Sequence, residues 1–196
     1  LSGENISSKE LTINVADKFK NVNPAFDESF TSYTGGLPQG YLGTGDRLTA
    51  YTANGNTFMK LSYASAGCEV YYRFANKLTG YVITEMDVIP QAYTGTVPAL
   101  IIRDEAGKES YIISFEKNGV IKNKVTGITI GSYTVGNLYT VRIEYDFNAG
   151  TYSASINGSV LIKDAAIPSG LTHLKTLYFA KIFTVSGSAE KNNVFF

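Results

Sequence analysis

The chain has 196 residues, 17 Lys+Arg against 17 Asp+Glu, a formal net charge of zero at pH 7 and 44% hydrophobic residues. That apolar content excludes a disordered tail, and the length suits one domain over residues 1–196, because β-sandwiches of this size form single units. Charge neutrality argues against nucleic acid as a partner, since a polyanion binder carries a basic excess.

Counting removes several chemistries. There is one Cys, Cys68, and one His, His173. No disulfide forms within the chain, and two such residues cannot build a Cys/His zinc site. His173 lies in no nucleophile motif, and no glycine-rich phosphate loop is present. No apolar run approaches the ~18–20 residues of a membrane-spanning helix. The sequence opens at Leu1 without an initiator Met or signal peptide. A cytoplasmic protein and a piece of a larger processed protein both fit, and the missing Met favours the second.

In chain order, residues 1–25 are expected to join the sandwich as an N-terminal strand or a short helix. Ser7 or Ser8 caps a helix whose face carries Leu11, Val15 and Phe19, while Leu11–Val15 also alternates as a strand. The Gly/Thr-rich stretch Thr34–Gly45 reads as a loop. On Val70–Phe74, Tyr71 and Arg73 share a face with Glu69, and Val70, Tyr72 and Phe74 take the other. Next, Val82, Thr84, Met86 and Val88 alternate with Glu85 and Asp87.

Strands Ala99–Arg103 and Ser110–Glu116 flank the turn Asp104-Glu105-Ala106-Gly107, and Asn118-Gly119 leads into Val120–Asn123. In Leu138–Phe147, Tyr139, Val141, Ile143, Tyr145 and Phe147 form one face. Asn148-Ala149-Gly150 turns into Thr151–Ile156, and Asn157-Gly158 turns into Ser159–Ile162. Asn-Gly accepts the positive φ of hairpin turns. Finally, Leu177, Phe179 and Lys181 alternate with Thr176, Tyr178 and Ala180. With 14 Tyr, 11 Phe and 19 Gly, this is an all-β composition. Roughly fourteen short strands predict a two-sheet antiparallel β-sandwich of the jelly-roll kind.

The order of these motifs resembles the concanavalin A-like jelly-roll superfamily of lectins, glucanases and laminin G-like modules. The resemblance lies in Phe26-Asp27-Glu28-Ser29-Phe30, Tyr33, Gly36-Leu37-Pro38-Gln39-Gly40-Tyr41, Tyr81–Ile89 with its Glu85-Met86-Asp87, the hairpin Asp104–Ile113, the pair Leu138–Ile162, and Asn192-Asn193-Val194. It implies a sugar-binding, sugar-cleaving or purely structural role. Laminarinase-like members carry E-x-D-x-x-E on one strand. Here Glu85 and Asp87 fit, but Pro90 stands at the third acidic position, so the acid/base of a retaining hydrolase is missing. Alginate-lyase-like members carry a "Q-I-H" strand and a "Y-F-K-A-G" strand. Tyr178-Phe179-Ala180-Lys181 echoes the second, and the first is absent.

The candidate ligand-binding residues are therefore Tyr71, Arg73, Glu85, Asp87, Arg103 and Tyr178, with no catalytic and no metal residues assigned. An exposed Tyr offers a ring face to a pyranose, and Arg clamps a uronate or sulfate. Neighbouring strands would bring Tyr71, Arg73, Glu85 and Asp87 onto one surface, joined by Arg103 and closed by Tyr178; one register slip scatters the set. Against this, Tyr71 and Tyr178 also suit plain cross-strand packing, and Glu85 and Asp87 suit a solvated sheet face paired with basic neighbours.

No cofactor is expected. A structural calcium is implied only by the resemblance, with Asp27, Glu28, Asp46, Asp104, Asp146 and Asn148 as turn oxygens. Asn5-Ile6-Ser7 and Asn157-Gly158-Ser159 match the glycosylation pattern, the second doubling as a turn. The reading is a non-catalytic carbohydrate-binding module, partnered by a polysaccharide or oligosaccharide and by neighbouring domains of a larger exported bacterial chain at the cell surface or outside it. A sugar-free structural or adhesive spacer, favoured by the absence of Trp, and a polysaccharide lyase or glycoside hydrolase with an unrecognised site are the alternatives.

Overall fold

A computed structural model describes residues 30, 32–43, 48–62, 69–90, 96–168, 170–181 and 193–195. The expected N-terminal strand or helix of residues 1–25, Cys68 and the acidic residues Asp27, Glu28 and Asp46 lie outside them. Sixteen strands run through the described residues: β1 (Tyr41–Gly43), β2 (Leu48–Ala53), β3 (Asn56–Ser62), β4 (Glu69–Leu78), β5 (Tyr81–Pro90), β6 (Val97–Ala99), β7 (Ile101–Arg103), β8 (Glu109–Ser110), β9 (Ile113–Glu116), β10 (Val120–Asn123), β11 (Thr129–Ser132), β12 (Tyr139–Asp146), β13 (Thr151–Ile156), β14 (Ser159–Ala166), β15 (Leu174–Lys181) and β16 (Asn193–Phe195).

They form an all-β, antiparallel β-sandwich. One sheet has the order β1-β4-β15-β7-β8 and the other β14-β13-β12-β5-β16-β3-β2. A third, four-stranded sheet, β11-β10-β9-β6, was not foreseen in the two-sheet expectation. Its origin is local. The hairpin read as Ala99–Arg103 and Ser110–Glu116 is broken on both arms, so that β6 and β9 pair in the small sheet while β7 and β8 pair in the five-stranded one. Leu100 makes the first break with φ 53°, and it is fully buried. Tyr111 and Ile112 make the second. Strands that change sheets at such bends turn the corners of a sandwich.

Alternation places the core. Val82, Met86 and Val88 on β5 and Val141, Ile143 and Tyr145 on β12 bury one face of the large sheet. Val70 and Phe74 on β4 and Leu177 and Phe179 on β15 bury one face of the five-stranded sheet, and all belong to one apolar cluster. Removing such contiguous apolar area from water is the main favourable term in folding. The turns follow the sequence. Asn157 and Gly158 take φ 49° and 77°, as a two-residue hairpin turn requires, and Asn157 Oδ1 accepts the Thr140 N–H at 2.8 Å. After β12, Asp146 Oδ1 accepts the N–H groups of Asn148 and Ala149 at 3.0 and 2.9 Å. A further hairpin at Asn54-Gly55 joins β2 to β3.

Candidate functional site

The outward face of the five-stranded sheet carries two rows of side chains that cross the strands. Register fixes both. Leu42 on β1 pairs with Tyr71 on β4, Tyr71 with Tyr178 on β15, and Tyr178 with Ile101 on β7. Beside this apolar row, Arg73 pairs with Thr176, Thr176 with Arg103, and Arg103 with Glu109 on β8. Successive residues of one strand point to opposite faces. Val70, Tyr72 and Phe74 therefore turn to the core, while Glu69, Tyr71 and Arg73 turn outward.

A cleft of about 260 Å³ opens on this face, lined by Glu69, Tyr71 and Arg73 from β4, by Lys175, Thr176 and Tyr178 from β15, and by Arg103 with the turn that follows it. Tyr178 forms its floor. It is 2% exposed, its ring lies 5.0 Å from that of Tyr71 at an interplanar angle of 39°, and its hydroxyl accepts from Arg103 Nη1 at 3.0 Å. That hydrogen bond, and then the carboxylates of Glu109 and Glu69, raise the pKa of the Arg103 guanidinium above its already high ordinary value. Arg103 is thus a fixed, permanent cation. Arg73 is exposed.

The rim is the turn Asp104–Gly107. Asp104 is buried and its Oδ1 accepts the Lys108 N–H at 2.8 Å, closing the turn. Glu105 lies 3.7 Å from Lys175 Nζ, which also donates to the Ala75 carbonyl at 2.8 Å. His173 Nε2 accepts the Glu105 N–H at 3.3 Å, and its Nδ1 lies 3.0 Å from Thr172 Oγ1. The same Nε2 lies 3.7 Å from the Glu105 carboxylate.

Glu85 and Asp87 are not part of this surface. The expectation that their strand neighbours that of Tyr71 is corrected by the pairing: β5 lies between β12 and β16 in the other sheet. Consecutive strands of a sandwich need not be sheet neighbours, and the short β4–β5 connection passes between sheets. On the outer face of the large sheet each acid meets the residue opposite it on β12. Arg142 Nη1 is 3.2 Å from Glu85 Oε2, and its Nε donates to Glu144 Oε1 at 2.8 Å. Thr140 Oγ1 donates to Asp87 Oδ1 at 2.6 Å. Tyr81 donates to the other oxygen of Glu144; burial first, and then this bond, push its pKa up to about 12. These are ladder pairs on a solvated face.

Four of the six candidates, Tyr71, Arg73, Arg103 and Tyr178, thus meet in one cleft. Tyr178 is its base rather than a wall. Sequence reading missed Leu42 and Lys175. Leu42 is 45% exposed on a three-residue strand, too short for alternation to mark its direction. Among the described residues no group of three or more His, Cys, Asp or Glu is placed to hold a metal ion, and no helix is long and apolar enough to cross a membrane.

No protein-family model matches the chain, and no curated protein matches it. Solved structures do. A sialidase superposes with a TM-score of 0.65 at 10% identity over 87% of this chain and 18% of its own. Alginate lyase AlgAT5 of polysaccharide lyase family 7 gives 0.52 at 13% identity over 74% of this chain and 78% of its own. A botulinum neurotoxin type C structure, described as dependent on two ganglioside molecules for cell entry, gives 0.53 at 13% identity over 79% and 40%. At these identities the likeness is one of fold, a β-sandwich that carbohydrate-processing and ganglioside-binding proteins also use. The chain spans less than a fifth of the sialidase.

Proposed function

We propose that the chain is a non-catalytic carbohydrate-binding module whose ligand lies in the cleft on the five-stranded sheet. The observation that carries this is the juxtaposition of Leu42, Tyr71 and the Tyr178 floor with Arg73, Thr176 and Arg103 on the outward face of one sheet. A pyranose ring has an apolar face and a hydroxyl-bearing rim. Tyr71 presents a ring face backed by Tyr178, so it is held rather than freely rotating, and Glu69 and Arg73 flank it along β4 as acceptor and donor. Pre-positioned groups lower the cost of ordering a flexible glycan.

Two features speak for binding without turnover. The strand paired with that of Tyr178 carries Ile101, Ile102 and Arg103 and no histidine. Glu85 and Asp87, with Pro90 at the third position of the hydrolase motif, sit on the opposite sheet. The fold shared with a sialidase and an alginate lyase supports a carbohydrate-related role; that the chain is one module of a larger exported bacterial protein, at or outside the cell surface, is part of the same proposal. Isothermal titration against an oligosaccharide panel tests the reading. Tyr71→Ala is expected to weaken binding by about 1–3 kcal/mol, with no reducing ends or unsaturated products released. Absence of binding across the panel would favour a structural spacer.

A further inference from the structure

We propose that the glycan this cleft takes is anionic and lies across the strands, its ring faces on the Leu42–Tyr71 row and its carboxylate or sulfate groups on the Arg73–Thr176–Arg103 row. This rests on the carbohydrate-binding reading above.

The direction follows from register. Both rows run perpendicular to β4, β15 and β7, so a chain following them crosses the strands. Arg73 and Arg103 both pair with Thr176, which places their backbones two strand spacings apart, about 10 Å. Two linked pyranose rings cover a comparable span, so one extended oligosaccharide reaches both guanidinium groups.

The face has no cationic excess, so the sign of the ligand turns on which of its charges are already paired. Its cations are Arg73, Arg103 and Lys175; its carboxylates are Glu69, Asp104, Glu105 and Glu109. Asp104 is buried and bound to the Lys108 N–H. Glu105 lies 3.7 Å from Lys175 Nζ, and Glu109 lies 3.7 Å from Arg103 Nε. Arg73 has no ion-pair partner among the described residues, and its planar fork is left to bind an oxyanion in two parallel hydrogen bonds. Glu69, on the far side of Tyr71, accepts from ring hydroxyls. A sugar over Tyr71 therefore meets an acceptor at one edge and a cation at the other.

Arg103 is held for the same task. Tyr178 accepts from its Nη1, and its guanidinium lies over Gly107, where an added Cβ would stand 3.2 Å from Nη2. Tyr178 is thus a positioning residue for Arg103.

The test is calorimetric titration of the whole chain with uronate, sialate and sulfated oligosaccharides and with carboxyl-reduced or desulfated counterparts. At least one anionic oligosaccharide is expected to bind and its neutral counterpart to bind far more weakly. Arg73→Gln should cost that ligand about ten- to a hundredfold in affinity, the scale of lost charge-assisted hydrogen bonds. Arg73→Lys should restore only part of it, because an ammonium cannot form the fork. Tyr178→Phe should weaken the anionic ligand by a larger factor than its neutral counterpart, because it releases Arg103 while keeping the ring. The arms separate carboxylate from sulfate. Neutral oligosaccharides that bind as tightly as acidic ones, sensitive to Tyr71→Ala but indifferent to Arg73→Gln, would overturn the inference and leave the carbohydrate-binding reading standing. No binding by any member would overturn both.

Discussion

Tyr71 has two roles that a single substitution separates. Its ring packs across the ladder on Tyr178, and it lines the cleft. Tyr71→Ala should lower stability by about 0.5–1.5 kcal/mol, the value of an aromatic pair, in addition to its effect on binding. Thermal denaturation measures the first and titration the second. Glu85→Gln is the matching control on the far sheet. Glu85 is half-exposed and paired only at the surface, so the change should alter stability by less than about 0.5 kcal/mol and leave glycan affinity unchanged. A loss of binding in that variant would mean that the ligand surface has been placed on the wrong sheet.

Glu116, at the end of β9, sets an acid limit. Burial pushes its carboxyl pKa up, but hydrogen bonds from Ser114 and Thr96, both at 2.6 Å, and from Lys124 at 3.1 Å outweigh burial and hold it below the ordinary value. A carboxylate whose folded pKa is depressed stabilises the native state above its unfolded pKa of ~4.3 and loses that contribution as pH falls through the folded value. Wild type should therefore exceed Glu116→Gln in stability near neutrality. The gap should close on acidification below about pH 4, as read by urea denaturation across pH.

At the scale of elements, the bend at Leu100 carries the first arm of the 97–116 hairpin from one sheet to the other, as Tyr111 and Ile112 carry the second. Leu100 is fully buried. Leu100→Ala removes core packing at the point where the chain changes sheets, and should cost about 2–5 kcal/mol by urea denaturation. The same bend shows where sequence reading stops. Alternation along Leu138–Phe147 and Thr151–Ile156 was legible because each strand buries one face, so period 2 sets its direction. The Asn157-Gly158 turn was legible because its chemistry is local. The division of Ala99–Arg103 into β6 and β7 was not, because both faces of a corner are buried and alternation disappears. Ile112, Ile113, Ser114 and Phe115 are all buried in succession.

For the whole molecule, parity and pairing carry different information. Parity was enough to put Tyr71 with Arg73, and Glu85 with Asp87, on common faces. It was silent on which strands lie side by side. That depends on contacts distant in sequence, such as β4 with β15 and β5 with β12. The four candidates that met did so because residues more than 70 positions apart in the chain, such as Arg103 and Tyr178, share a ladder.

The central claim is that the outward face of β4, β15 and β7 is the ligand surface. Amide chemical-shift mapping of the isotope-labelled chain, titrated with an acidic oligosaccharide, tests it most directly. The account predicts saturable shifts concentrated at 71–73, 101–103 and 176–178, with the outer face of β5 and β12 unmoved. Shifts centred on Glu85, Asp87 and Arg142, or none at any ligand concentration, would contradict it.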